Sequence, residues 1–166
     1  MASIDMDKVI PLGDFADADP EEREELRQLA EKARKYLSSY RWCGAIEHVF
    51  EGITVAGVVG VFLFEIKPTL PDVDEWLWVI VGDVPPAYLV TDDAPTPAIA
   101  LSSYIAEMRA WVTAAEIGES VSDLIPVNVA PTRENAVLLR SRLDFLEHRV
   151  VPAPQPTDGR GRSRWP

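Results

Sequence analysis

The sequence predicts an α+β domain: a leading helix, an antiparallel meander sheet of about four strands, and two to three C-terminal helices packed on the sheet. Three observations predict it. The run Glu75-Trp76-Leu77-Trp78-Val79-Ile80-Val81-Gly82-Asp83 has a charged edge, an unbroken apolar stretch rich in aromatic and β-branched residues, and a Gly-Asp stop, which together read as a strand. Successive strand side chains point to opposite faces, so Trp76, Trp78 and Ile80 share one face and Leu77, Val79 and Val81 the other. Both sets are apolar, so this strand lies within a sheet covered on both sides. The neighbouring apolar runs are joined by short links, whereas parallel pairing needs a long crossover, so the strands follow one another as a meander.

A length of 166 residues suits one domain with a core of its own. Hydrophobic content of 47% and charged content of 26% are those of a globular chain. The net charge of −11 argues against nucleic-acid binding, which needs clustered Lys and Arg, and steers cationic partners to the surface. Cys43 is the sole cysteine, so no intrachain disulfide forms and a reducing cytoplasm is the expected location. The start of the chain lacks the basic and apolar regions of a signal peptide. Its greasiest segment, Gly52 to Phe64, is shorter than the roughly 20 residues a membrane helix needs. No membrane association is expected.

Residues 1–18 have no sustained period and read as an arm that drapes Ile4, Val9, Ile10, Leu12 and Phe15 over apolar surface. The single domain spans 19–151. Asp19 is an N-cap, Pro20 the first helical residue, and glutamates crowd the first turns while Lys32, Arg34 and Lys35 sit near the end, matching the helix dipole. Leu26, Leu29, Ala30, Ala33, Tyr36 and Leu37 form the apolar stripe. A strand begins near Gly44, with Ile46, His48 and Phe50 on one face and Glu47, Val49 and Glu51 on the other. Gly52 marks a turn, bulge or close approach. A second strand runs from about Ala56 to Lys67, with Val58, Phe62, Phe64 and Ile66 on one face and Val59, Val61 and Leu63 on the other.

Thr96 and Pro97 open the second helix, whose stripe includes Leu101, Tyr104, Ile105, Met108, Trp111 and Val112, and which ends near Gly118. Pro131-Thr132 open the third, with Ala136, Leu139, Leu143 and Leu146 on one side and Val137, Leu138 and Phe145 widening that side. Residues 152–166, rich in Pro, Gly and Arg, are expected to be a disordered tail.

No nucleotide or nucleophile-elbow motif occurs. Two histidines and one cysteine are too few and too widely spaced for zinc, and the acidic turns lack the spacing of an EF-hand. No metal and no cofactor are expected. His48 is the one weak catalytic candidate. A general base needs an orienting group and a nucleophile within reach, and Tyr88, Glu47 or Asp83 are its candidate company in a pocket. Cys43 falls on the opposite face of a regular strand. His148, in the last turn of the third helix, sits where the dipole favours a cation.

The leading functional expectation is a non-catalytic, immunity- or adaptor-like protein-binding domain. It engages a basic protein partner through Asp72, Asp74, Glu75, Asp92 and Asp93, the acidic turns flanking the strand region. The alternatives are a small-molecule binder or enzyme at His48 and a subunit of a larger complex. Trp76 and Trp78 are the interface candidates if the helices leave one sheet face uncovered, in which case a homodimer would bury them.

Overall fold

A computed structural model describes residues 4–152; residues 1–3 and 153–166, the latter holding most of the expected tail, lie outside the described residues. Five strands follow in the order β1 (Ile10–Pro11), β2 (Ala45–Val55), β3 (Val59–Lys67), β4 (Trp76–Gly82) and β5 (Ala87–Val90), and each pairs antiparallel with the next. Helix α1 (Pro20–Ser38) precedes β2, and α2 (Pro97–Ile117) and α3 (Arg133–Phe145) follow β5. A π turn over Leu146–Val150 continues α3. The architecture is therefore the anticipated α+β meander, with one added strand.

The helices divide between the two faces. Leu77, Val79 and Val81 of β4 join Phe62, Phe64 and Ile66 of β3 beneath α1, which contributes Leu26, Leu29, Ala33 and Leu37. Trp78 and Ile80 join Val61 and Leu63 on the opposite face, under Leu101, Tyr104, Met108 and Trp111 of α2, with α3 packed beside α2. The parity of β4 is as its sequence implies, and both apolar faces are covered within one chain.

Each helix begins where its cap says. Asp19 accepts from the Glu22 amide at 2.9 Å, Thr96 from Ile99 at 3.2 Å and Thr132 from Asn135 at 3.1 Å, each satisfying an amide that has no partner inside the helix. Gly118 closes α2 with φ of 76°. Arg109 of α2 bridges Asp144 at 2.9 Å and Glu147 at 2.6 Å, and Arg140 pairs with Glu116, so α2 and α3 are strapped antiparallel.

Two readings are corrected. Strand β2 does not keep one parity, because its register against β3 shifts between Ile46 and His48 and again between Glu51 and Ile53. The extra residue at each shift resets the alternation, so Ile46 and Val49 both pack toward α1 while Phe50 and Ile53 pack toward α2. Gly52 lies at the second shift, inside the strand, where a Cβ would stand 2.7 Å from the Pro97 ring and 3.0 Å from the Val61 carbonyl oxygen. The start of α2 rests on bare backbone there. On α3, Ala136, Leu139, Leu143 and Leu146 are buried, but Val137, Leu138 and Phe145 are exposed, at 48%, 56% and 46%. At about 100° per residue these three point well away from the buried stripe rather than widening it.

The arm covers apolar surface on both sides of the sheet. Val9 is buried with the α2 face, while Leu12 and Phe15 pack against the α1 face. Its Ile10–Pro11 pair adds the unforeseen strand β1, opposite Glu51 and Phe50. No helix among the described residues is long and apolar enough to cross a membrane.

Candidate functional site

The five acidic candidates gather at one end of the sheet. Asp72, Asp74 and Glu75 lie just before β4, Asp92 and Asp93 just after β5, and the antiparallel register sets Leu77 opposite Val90. The end at which β4 begins is thus the end at which β5 finishes. All five carboxylates are exposed, and none is in an ion pair among the described residues.

This end is held by the strand that carries the tryptophans. Trp78, fully buried, donates from Nε1 to the Ala94 carbonyl at 2.7 Å. The Ala94 amide in turn donates to Thr91, 3.0 Å away, closing a tight turn with Asp92 and Asp93 at its tip. On the other side the Ile66 amide donates to the Glu75 carbonyl at 2.8 Å, and Val73 to Leu70 at 3.3 Å. Trp78 is therefore sealed within the core of its own chain and offers no surface to a second molecule. Trp76 differs. It is half-buried beside Glu75, with its ring 6.0 Å from that of Phe50.

His48 is not enclosed. Its side chain is 68% exposed, and Nδ1 lies 2.8 Å from Glu65 Oε1. Cys43 is buried on the α1 side, where desolvation pushes its thiol above the usual range. Tyr88 also packs toward α1, and Asp83 follows the far end of β4. Tyr88 and Asp83 are thus not brought to His48, whose carboxylate neighbour is Glu65. His148 is accounted for by the helix end, its Nδ1 2.9 Å from the Asp144 carbonyl. Among the described residues no three His, Cys, Asp or Glu side chains are placed to hold a metal.

Two further features are not apparent in the sequence. At the far end of the sheet, Lys32 donates to the Gly82 carbonyl at 2.9 Å and Arg142 pairs with Asp83 at 3.1 Å, beside a shallow groove of about 320 Å³. Gly82 has φ of 142°, and a Cβ there would meet the Val58 carbonyl oxygen at 2.2 Å. The partners are 50 and 59 positions apart, so no local pattern announces them. At this end the Asp83 carboxylate is balanced by Arg142, whereas the five carboxylates at the opposite end have no ion-pair partner among the described residues.

The second feature runs along β5. A groove of about 560 Å³ lies between Tyr36 and Tyr40 from the α1 side and Glu107, Asp123 and Ile125 from the α2 side. Tyr40 stacks on Trp42 at 4.9 Å and meets Tyr88 edge-on at 5.2 Å, while the hydroxyls of Tyr36 and Tyr40 are 3.1 Å apart. Desolvation, followed by the bond to Tyr40, pushes the Tyr36 hydroxyl well above its ordinary value; burial and then Tyr40 raise Tyr88.

Compared with protein-family models, curated proteins and solved structures, the chain matches none.

Proposed function

We propose that the chain is a non-catalytic protein-binding domain, adaptor- or immunity-like, that receives a basic partner on the acidic end of its sheet. The observation that supports this reading is the convergence of Asp72, Asp74 and Glu75 with Asp92 and Asp93 at one end, exposed, without ion-pair partners among the described residues and on pinned turns. Carboxylates balanced by internal cations would be solvated scaffold; unbalanced ones project a field that steers a cationic surface. Half-buried Trp76, with Phe50 beside it, supplies an aromatic centre of the kind that anchors interfaces.

A homodimer through this surface is the weaker reading. A two-fold contact sets the same patch against itself and would bring like charges together. The His48 alternative has less support, because His48 is exposed and neither Tyr88 nor Asp83 lies beside it.

The test is capture of partners from the native host on the full chain and on a variant with all five carboxylates reversed to lysine. A basic protein should be retained by the first and lost from the second while both remain folded by circular dichroism. Equal retention would refute these residues as the contact surface.

A further inference from the structure

The chain treats the two edges of its sheet differently. At one edge β1 covers Phe50 and Glu51 of β2 and ends in Pro11, which has no amide to offer, so strand addition onto β1 itself is blunted. β5, at the other edge, has no strand beyond it. In an antiparallel pair, residues that do not bond across to their partner direct both N–H and C=O outward. Among the described residues, no backbone hydrogen bond satisfies β5 on that side. The groove of about 560 Å³ lies beside this edge, lined by Pro86 to Val90 themselves. A free strand edge inside a groove has the shape of an extended chain, and its outward groups are what such a chain bonds.

The walls specify more. Tyr36 and Tyr40 stand on the α1 side of the sheet; on the α2 side the carboxylates of Glu107 and Asp123 share the wall with Leu124, Ile125 and Pro126. Side chains of an added strand would alternate between those walls, apolar toward the tyrosines and cationic toward the carboxylates. Past Val90 the same path reaches Asp92 and Asp93. We propose that β5 is a docking edge, to which the basic partner adds an extended segment with alternating apolar and basic residues as a sixth strand. This rests on the reading of a basic partner and adds the mode in which it is held.

The test uses the full chain and a short fluorescein-labelled peptide alternating valine and arginine, read by anisotropy. Two further peptides carry N-methyl groups on every second amide, in one register or the other; charge is retained, but only one register faces β5. Binding of the parent is expected, with one methylated peptide weakened roughly tenfold or more through lost backbone bonds and the other within about twofold. Amide exchange at alternate β5 residues should slow on binding, and Glu107→Gln with Asp123→Asn should weaken the parent several-fold.

Equal binding of all three peptides would overturn strand addition. If that binding still fell when Asp72, Asp74, Glu75, Asp92 and Asp93 were neutralised, the basic-partner reading would stand alone. If it did not fall, both would fail. Absence of parent binding would overturn the docking edge. So would β5 protection without peptide that depends on protein concentration, which makes the occupant a second copy. Protection abolished by deleting residues 153–166 would make the occupant the chain's own C-terminal segment, and that too would overturn it.

Discussion

Trp78→Phe separates the two roles given to this tryptophan, core filler and anchor of the acidic turn. The substitution retains an aromatic ring in a fully buried position but deletes the Nε1–H that donates to the Ala94 carbonyl at 2.7 Å. Leaving a buried carbonyl without its donor costs about 1–3 kcal/mol. The smaller ring leaves roughly 40 Å³ unfilled, and at about 24 cal/mol per Å³ this adds about 1 kcal/mol. Together the loss is about 2–4 kcal/mol, a fall in Tm of roughly 5–15 °C for a domain of this size. Urea unfolding followed by circular dichroism measures it. The anchor also predicts where the structure loosens first. The Ala94 amide, which closes the turn on Thr91, should exchange with solvent faster in the variant than global unfolding explains. A variant within about 0.5 kcal/mol of the native chain, with unchanged exchange at Ala94, would refute the anchor.

Four further outcomes follow from the same geometry. Gly82→Ala should cost about 2 kcal/mol or more, because φ of 142° and the nearby Val58 carbonyl oxygen both exclude a Cβ; denaturant titration decides it. Leu138→Gln should stay within about 0.5 kcal/mol of the native chain, whereas Leu143→Ala should lose about 2–5 kcal/mol, a contrast that checks which side of α3 faces inward. Cys43, buried and with its thiol raised by desolvation, should resist a thiol-specific reagent at pH 8 until urea unfolds the chain. Stability should fall as pH rises past 10.0, where the tyrosines of the unfolded chain ionise. Tyr36 and Tyr104 stay protonated in the fold through burial, so the unfolded state releases more protons there; Tyr36→Phe should blunt the fall in thermal melts.

Elements encoded by local chemistry were legible. Asp19, Thr96 and Thr132 announce helix starts because each cap bonds an amide within three residues. The alternation of Trp76 to Val81 sorts side chains correctly because β4 is regular against β3. Strand β2 was not sortable by alternation, since its register shifts depend on how it meets β3 and, at Gly52, on the approach of Pro97. A two-residue strand such as β1 has no period to read. Val137, Leu138 and Phe145 are core residues by type, but their angular position on α3 turns them to solvent.

The acidic residues were identifiable by type, and the meander topology brings their two turns to one end. The β5 groove was not legible, because nothing local to Ala87–Val90 says that its outer edge stays unpaired or that Tyr36 and Glu107 will flank it.

The most direct test of the account is the partner's association rate as a function of ionic strength. It should be measured on the native chain and on a variant with Asp72, Asp74 and Asp92, Asp93 changed to Asn and Glu75 to Gln. If the acidic end steers the partner, the native rate falls steeply with salt, and the neutralised variant associates roughly tenfold more slowly at low salt with a flatter dependence. The same rate and the same salt dependence for both proteins would contradict it.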